Sequence, residues 1–348
     1  MSWNLQDWVL PHLRDLKPYS NARAEFKGNA DVWLDANENP FDTDFFDKYN
    51  RYPDPLQVEL KAELEKLWEL PSKQIFLGNG SDEAIDLLIR LSCIAGVDKV
   101  LVQEPSYSMY QQNAAINNVA VLNSPLDEEF KPNIAEITRI IKEDKPKIAF
   151  FCSPNNPTGN TVELDDVKSI CSLNQGFVVV DEAYIDFSPE DSALSLLSSC
   201  PNLVVLRTMS KAWGMAGLRL GAALASPEII ERLNVIKAPY NIGAYTQKYC
   251  LEMLQTRKRD FQSWVDSIIE ERTKLSLALK SLPLIKRVFP SKANFILVQV
   301  DDVDAVYQHL ISAGIVVRKR DKLVPNSLRI SIGTKTENSY LIETLKSY

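Results

Sequence analysis

Short apolar runs alternate with helical or turn-rich stretches between about residues 75 and 225 of the chain. Each run is apolar at consecutive positions, which is typical of strands that are buried on both faces of a mainly parallel sheet. Six such runs are predicted strands: 100–102, 119–122, 148–151, 177–180, 203–206 and 222–225. The pattern therefore predicts an α/β fold in which helices cover a mainly parallel, mixed sheet.

A helix is predicted just after Asp54. The Asp54 side chain can cap its N terminus, and Pro55 suits its first turn. Four apolar side chains fall on one face of it at helical spacing: Leu60, Leu64, Leu67 and Trp68. The spacing therefore predicts an amphipathic helix ahead of the first apolar run.

The pattern changes after about residue 240. A long helical stretch, 243–282, precedes a predicted strand at 295–300 and a helix that ends before Gly314. Two further predicted strands, 315–317 and 328–332, and a last helix complete this part of the chain. The change predicts a second, smaller domain of the α+β class.

The length of 348 residues suggests two domains, since a domain has about 150 residues. We expect residues 46–240 to form the large domain. The N-terminal arm, 1–45, has no clear periodicity, and we expect it to join residues 241–348 in the small domain.

Composition and charge narrow the classes of partner. The net charge is −7, whereas proteins that bind nucleic acids or anionic membranes are usually basic. No apolar run is long enough for a transmembrane helix, and the first residues lack the apolar core of a signal peptide. The five cysteines are scattered without a C-x-x-C pair, which favours reduced thiols over disulfides or a metal site. These features predict a cytoplasmic protein with no metal, nucleic-acid or membrane partner.

Two polar segments are candidates for binding an anion and for donating an amide hydrogen bond. Gly-Asn-Gly-Ser-Asp-Glu at 78–83 precedes an apolar helix, whose free N–H groups suit an anion; capping of the helix by Ser81 is the alternative. Ser-Pro-Asn-Asn-Pro-Thr-Gly at 153–159 follows a predicted strand and holds Asn156 in a rigid loop, unless the segment is only a turn.

Two more segments also follow predicted strands. Asp181 could keep a pyridine nitrogen protonated, or serve as a helix cap or structural ion pair. Lys211 could bond covalently to an aldehyde, although most lysines are solvated surface residues. The hydroxyls of Thr208 and Ser210 and the guanidinium of Arg219 suit a phosphate. Taken together, the four segments supply the parts that pyridoxal 5'-phosphate needs.

The same motifs resemble those of the fold-type I pyridoxal-phosphate-dependent aminotransferase family, over nearly the whole chain. The 153–159 segment and Ser-Lys-Ala at 210–212 are specific to that superfamily. Further motifs narrow the resemblance to the subgroup that acts on histidinol phosphate: Pro-Tyr at 18–19, Asn-Glu-Asn-Pro at 37–40, Arg-Tyr-Pro-Asp-Pro at 51–55 and Leu-Arg-Ile-Ser-Ile-Gly-Thr at 328–334. The resemblance implies a fold-type I architecture and transamination between L-histidinol phosphate and 2-oxoglutarate, in histidine biosynthesis.

The resemblance also implies which residues contact the cofactor ring. Lys211 would bind the cofactor covalently and carry a proton, and Asp181 would pair with the pyridine nitrogen. Asn156 and Tyr184 would hydrogen-bond the ring oxygen O3′, and Tyr107 would stack on the ring.

By the same resemblance, the cofactor phosphate would lie in a cup formed by six residues: Gly80, Ser81, Asp82, Thr208, Ser210 and Arg219. Tyr52 would reach this phosphate from the neighbouring subunit, which implies a homodimer with shared active sites.

Four residues match positions that bind substrate in the family. Arg329 would hold the acidic group, since a guanidinium can bind a carboxylate or a phosphate through two hydrogen bonds. Arg318 and Tyr19 would add contacts to the phosphorylated substrate, and Asn37 would also bind substrate. The alternative for Arg318 is an ion pair at the rim with Asp321 or Asp302. No residue identifies an imidazole pocket.

Other functions remain open from the sequence. Threonine-phosphate decarboxylases resemble this group closely and also bind a small phosphorylated amine. A broader aromatic or aliphatic aminotransferase is a further alternative. A regulator that senses pyridoxal phosphate is disfavoured, because the motifs begin by Tyr19 and leave no space for a DNA-binding segment ahead of them.

Overall fold

The computed structural model describes residues 3–19, 31–41 and 49–348. Its larger sheet has seven strands in the order β1-β7-β6-β5-β4-β2-β3. The strands are β1 Ile75–Asn79, β2 Lys99–Glu104, β3 Ala120–Pro125, β4 Ile148–Cys152, β5 Phe177–Asp181, β6 Leu203–Thr208 and β7 Leu220–Ala225. Only β7 is antiparallel to its neighbours, β1 and β6. The predicted α/β class with a mainly parallel sheet is confirmed.

Both faces of the larger sheet are buried, which explains the continuous apolar runs. Along β5, Val178 and Val180 pack into one hydrophobic cluster, whereas Phe177 and Val179 pack into the other. Seven helices accompany this sheet: α1 Val58–Trp68, α2 Ser81–Ser92, α3 Met109–Ile116, α4 Ile134–Asp144, α5 Leu164–Leu173, α6 Pro227–Ile236 and α7 Ala244–Thr256. The first cluster contains side chains of α1, α4, α5 and α7, and the second those of α2, α3 and α6.

Two features of this part differ from the prediction. The apolar runs do not predict β1, whose last two residues are Gly78 and Asn79 of the Gly-Asn-Gly segment. The helix after Asp54 begins only at Val58. The Asp54 carboxylate accepts hydrogen bonds from the N–H groups of Leu56, at 2.8 Å, and Val58, at 2.7 Å. Asp54 therefore holds a turn that leads into α1.

The smaller sheet has four antiparallel strands in the order β10-β11-β9-β8. The strands are β8 Ile285–Val288, β9 Phe295–Val300, β10 Arg318–Lys319 and β11 Ser327–Ser331. Helices α8 Lys258–Lys280, α9 Val303–Ser312 and α10 Lys335–Lys346 share a hydrophobic core with it. This is the predicted α+β part of the chain.

Two predictions for the C-terminal part are wrong in detail. The helical stretch 243–282 is two helices, because Arg257 has a non-helical φ of −114° between α7 and α8. The predicted strand 315–317 is not a strand, since backbone pairing begins only at Arg318. Its central residue, Val316, is 78% exposed.

Residues 3–13 of the N-terminal arm pack on the larger sheet, so the expectation that the arm joins the small domain is wrong for them. Leu5 and Val9 are buried in the cluster that contains α2 and α6. The Leu10 N–H donates a hydrogen bond of 2.9 Å to the carbonyl of Leu91 in α2. The division of the chain into domains near residue 240 stays a prediction.

Within the described ranges, no helix is long and apolar enough to cross a membrane. No group of three or more metal-binding side chains is found there either. The five cysteines are buried free thiols.

Candidate active site

Three polar segments meet at the carboxyl ends of the adjacent strands β4, β5 and β6. In the sheet, Cys152 at the end of β4 pairs with Asp181 at the end of β5, which pairs in turn with Leu206 of β6. Parallel strands place their carboxyl ends at one edge of a sheet, where ligands bind. The loops that carry Asn156 and Lys211 therefore lie beside Asp181.

Asp181 is a buried carboxylate, 3% exposed. Its Oδ2 accepts a hydrogen bond of 2.7 Å from the Tyr110 hydroxyl, and its Oδ1 accepts one of 3.1 Å from the Ala183 N–H. Burial raises the pKa of Asp181 to about 6, although these two hydrogen bonds and the nearby Lys211 act to lower it. A cation bound against Asp181 would favour the charged carboxylate. Asp181 is thus suited to hold a protonated ring nitrogen.

Tyr110 is a site residue that the sequence did not reveal. It is fully buried in α3 and stacks on Phe150 of β4, with ring centroids 4.9 Å apart. It is separated from Asp181 by 71 positions along the chain. In the sequence, Tyr110 is indistinguishable from an ordinary core aromatic residue.

Lys211 lies at the same edge of the sheet, with its Nζ 5.5 Å from the centroid of the Tyr184 ring. Burial is the largest cause that lowers the pKa of Lys211, and the positive charge of Arg329 lowers it further. The Asp181 carboxylate acts in the opposite direction. A lowered pKa makes the neutral, nucleophilic amine easier to form.

Asn156 connects Tyr184 to Arg329. Its Nδ2 donates to the Tyr184 hydroxyl at 3.2 Å, and its Oδ1 accepts from Arg329 Nη1 at 2.5 Å. Asn156 and Tyr184 are buried, and the Arg329 guanidinium lies 5.3 Å from the ring centroid of Phe295 in β9. The contact therefore joins a loop of the larger sheet to β11 of the smaller one.

The glycine turn after β1 exposes backbone donors. Gly80, with a φ of +77°, precedes α2 and donates its N–H to the carbonyl of Arg219 at 2.5 Å. Ser81 is the first residue of α2 and makes no capping bond, so capping by Ser81 is wrong. Among the described residues, the N–H groups of Ser81 and Asp82 have no acceptor. Two free N–H groups at a helix N terminus suit a phosphate.

Other cup residues surround this turn. Arg219 Nη2 lies 3.5 Å from an Asp82 carboxylate oxygen, and the Tyr107 hydroxyl donates to the other oxygen at 3.1 Å. Thr208 Oγ1 accepts a hydrogen bond of 3.1 Å from the Ser210 N–H, immediately before Lys211. The structure thus brings the predicted cup residues and Tyr107 to the Lys211 region.

Tyr19, Asn37 and Tyr52 show no contact with Lys211 or Asp181 in the described parts of the chain. Tyr52 is 51% exposed and stacks on Tyr240, with ring centroids 4.5 Å apart. Tyr19 is 67% exposed and Asn37 is also exposed. Their roles stay predictions, and that of Tyr52 was assigned to the neighbouring subunit.

Arg318 lies directly opposite Arg329 in the pairing of β10 with β11. The rim aspartates are engaged elsewhere: Asp321 lies 3.8 Å from Lys319, and Asp302 caps α9. Among the described residues, Arg318 forms no ion pair with either aspartate. Arg320, which no sequence motif marks, lies close enough to Arg318 and Arg329 for their charges to contribute to lowering its pKa.

The residues present fit pyridoxal 5'-phosphate. The free N–H groups before α2 suit its phosphate, and the buried carboxylate of Asp181 suits its ring nitrogen. Lys211, with its lowered pKa, suits its aldehyde, and the Asn156–Tyr184 pair suits its ring oxygen.

Comparison with known proteins agrees with this site. The sequence profile of the family described as "Aminotransferase class I and II" matches residues 20–345. The histidinol-phosphate aminotransferase of Parabacteroides distasonis is 48% identical over 99% of both chains. That of Cytophaga hutchinsonii is 45% identical over the whole of both chains.

Among solved structures, the histidinol-phosphate aminotransferase of Clostridium acetobutylicum superposes with a TM-score of 0.79 at 26% identity, over 85% of this chain and 90% of that one. The Sinorhizobium meliloti enzyme, solved in complex with pyridoxal-5'-phosphate, has a TM-score of 0.79 at 22% identity over 85% and 82% of the two chains, which supports the fold alone. The chain therefore belongs to the class I and II aminotransferases, whose cofactor is pyridoxal 5'-phosphate, and among them to the histidinol-phosphate aminotransferase family.

Proposed function

We propose that the enzyme transfers the amino group of L-histidinol phosphate to 2-oxoglutarate, giving imidazole acetol phosphate and L-glutamate, in the biosynthesis of histidine. The observation that carries this proposal is the position of Lys211 beside buried Asp181 and within the field of Arg329. That arrangement combines an amine, a counter-charge for a ring and an anchor for an anion. A homodimer with shared sites and a cytoplasmic location belong to the same proposal.

When bound, pyridoxal 5'-phosphate supplies an aldehyde for covalent attachment and a protonated ring that withdraws electrons from the substrate Cα. Asp181 would keep that ring protonated, because a buried carboxylate favours an adjacent cation. Tyr110 orients the carboxylate through its hydrogen bond of 2.7 Å. Asn156 and Tyr184 would bind the ring oxygen from the side of β4 and β5.

Lys211 would then act as the base. With the cofactor bound, its amine would be the basic group available at the substrate Cα, on the side of Asp181 and Tyr184. Because burial and Arg329 lower the pKa of Lys211, the amine would be able to accept the Cα proton and to donate it to the aldehyde-derived carbon of the cofactor. The product of the first half-reaction would leave before the second substrate binds, so the kinetics should be ping-pong.

Arg329 would hold the acidic group of both substrates. Its Nη1 is bound to Asn156, whereas its Nε is buried without a partner among the described residues. A guanidinium can present two parallel N–H groups to a carboxylate or to a phosphate. One side chain can therefore serve glutamate and histidinol phosphate in turn.

The test is an assay of the purified holoenzyme with L-histidinol phosphate and 2-oxoglutarate, with L-glutamate measured by a coupled dehydrogenase. We expect glutamate to form in proportion to enzyme. Lys211→Ala should abolish both turnover and the visible absorbance of the bound cofactor, while Lys142→Ala, at an exposed position of α4, should change neither. The absence of glutamate, with release of carbon dioxide from phosphothreonine, would refute the proposal in favour of a decarboxylase.

A further inference from the structure

We infer that Arg320 is a third guanidinium of the substrate-anion site and that it selects a phosphate over a carboxylate. This inference rests on the proposed function, because it concerns how the same site distinguishes its two substrates. It is carried by strand register, by unpaired donors and by the balance of charge around β10 and β11.

The backbone register places Arg320 on the face of the hairpin that carries Arg329. Arg318 is opposite Arg329, and the Arg320 N–H continues the ladder by donating to the Ser327 carbonyl at 2.8 Å. Side chains alternate between faces along a strand. Arg318 and Arg320 therefore share one face of the hairpin, and Lys319 lies on the other.

The acidic residues of this region are engaged by Lys319 on the opposite face. Lys319 forms ion pairs with Asp304 and Asp321. Within the described residues, Arg318, Arg320 and Arg329 have no carboxylate partner. The arginine face thus has three formal positive charges with no opposite charge against them.

Two of these guanidinium groups also have unused hydrogen-bond donors. The Nε atoms of Arg320 and Arg329 are buried and have no partner among the described residues. A buried donor without an acceptor is unfavourable, so a bound anion would remove a cost that the free protein has. Both Nε donors are therefore available to a bound anion.

Repulsion among the guanidinium groups of Arg318, Arg320 and Arg329 also favours binding of an anion there. Burial lowers the pKa of Arg320 to about 10, and the charges of Arg329 and Arg318 contribute to that shift, whereas Tyr184 opposes it. Arg320 remains protonated at neutral pH. A ligand group with two negative charges neutralises the positive charge of the three arginines better than a group with one negative charge.

The chemistry of the two substrates explains the discrimination. A carboxylate has one negative charge and two oxygens, which Arg329 alone can satisfy through two N–H groups. A phosphate monoester has three acceptor oxygens and a charge approaching −2 at neutral pH, as for phosphorylated side chains. The additional oxygen and charge require additional donors, which Arg318 and Arg320 supply.

The experiment compares the two half-reactions of the holoenzyme in Arg320→Gln and Arg320→Lys. For Arg320→Gln we expect kcat/KM for L-histidinol phosphate to fall roughly 10- to 100-fold, as for the loss of one charged hydrogen bond. The kcat/KM for L-glutamate should change less than about threefold, since one carboxylate is held by Arg329. Arg320→Lys keeps the charge but not the planar set of N–H donors. Its kcat/KM for L-histidinol phosphate should lie between those of Arg320→Gln and the unmodified enzyme.

A second measurement does not depend on turnover of the phosphorylated amine. Inorganic phosphate should inhibit the glutamate half-reaction of the unmodified holoenzyme competitively, and Arg320→Gln should weaken that inhibition by a similar factor. Lys322→Gln is the matched control, because it removes an exposed cation of the same hairpin that forms no ion pair among the described residues. It should leave both the selectivity and the phosphate inhibition unchanged.

The outcomes separate the two proposals. If the unmodified enzyme does not use L-histidinol phosphate, the proposed function fails, whatever the Arg320 variants do. If it does use L-histidinol phosphate and the Arg320 variants retain their selectivity, the inference about Arg320 is overturned. Equal losses with both amino donors would overturn it as well.

Discussion

Tyr110 and Asp181 form a buried pair in which the phenol donates to the carboxylate at 2.7 Å. Tyr110 belongs to α3 and Asp181 ends β5, so a helix fixes the orientation of a side chain at the end of a strand. Stacking of Tyr110 on Phe150 leaves its ring little freedom to move. The carboxylate is therefore positioned before any ligand binds.

Replacement of Tyr110 by phenylalanine should make cofactor binding more sensitive to pH. The Tyr110 hydrogen bond acts to lower the pKa of Asp181, which burial places at about 6. Without it that pKa rises, and the carboxylate stays protonated and neutral up to a higher pH. We expect Tyr110→Phe to bind pyridoxal 5'-phosphate roughly 10-fold more weakly near pH 6 and to approach normal affinity near pH 8.

Cofactor titration of the apoenzyme between about pH 5.5 and 8.5 measures this effect. Tyr340→Phe is the control, since Tyr340 donates to the Ala313 carbonyl, in the smaller-sheet part of the chain. An equal loss of affinity at every pH would contradict a role through the ionisation of Asp181.

A methyl group at Gly221 should displace the turn at Gly80 and Ser81, which we propose binds the cofactor phosphate. A Cβ there would lie 2.1 Å from the Ser81 nitrogen and 2.4 Å from the Gly80 carbonyl carbon, so backbone must move. We expect Gly221→Ala to lower the free energy of unfolding by about 1–3 kcal/mol and to weaken cofactor binding. Urea denaturation and cofactor titration measure the two effects.

Gly217 offers a matched control for this substitution. An added Cβ at Gly217 meets no atom within 4 Å, and its φ is not positive. Gly217→Ala should therefore leave both measurements nearly unchanged. A Gly221→Ala protein that binds cofactor normally would show that the turn tolerates displacement.

The two arginines that face each other across β10 and β11 should differ in their effects. Arg329→Ala removes the donor to Asn156 as well as the proposed anchor, so we expect both half-reactions to slow. Arg318→Ala should slow the reaction of the phosphorylated amine more than that of glutamate. Single-turnover rates of the two half-reactions provide the comparison, and equal losses in Arg318→Ala would rule out this division of roles.

Mixed dimers test whether Tyr52 serves the neighbouring subunit. A hybrid of Tyr52→Phe and Lys211→Ala subunits would contain one site with both substitutions and one with neither. We therefore expect subunit exchange to restore a site with normal cofactor affinity and turnover, above the level of either parent. If Tyr52 acts within its own chain, mixing restores nothing.

The sequence predicted six of the seven strands of the larger sheet, because both faces of that sheet are buried. Alternate residues of a strand such as β5 enter opposite hydrophobic clusters, so every position is apolar and the strand is visible as a continuous run. In β8, Lys286 and Arg287 are exposed between apolar ends, and no such run forms. Strands with a solvated face at a sheet edge therefore leave a weaker pattern.

The site shows the same contrast. Asn156, Asp181 and Lys211 lie in local motifs at strand ends, and the structure brings them together. Tyr110 and Arg320 were missed because no local motif marks them: Tyr110 contacts a residue 71 positions away, and the position of Arg320 depends on strand register. In the sequence, a buried tyrosine has the pattern of a core residue. An arginine that follows a short strand has the pattern of a solvent-exposed residue. Only the packing of α3 and the register of β10 reveal them.

The Asn156 amide has one further consequence. It binds the Tyr184 hydroxyl on one side and the Arg329 guanidinium, the proposed anion anchor, on the other, so one planar group links the two side chains. A displacement of the smaller sheet relative to the larger one would lengthen the Arg329 contact, which helps to orient the amide. The position of the smaller sheet is therefore coupled, through Arg329, to the orientation of the Asn156 amide beside Tyr184.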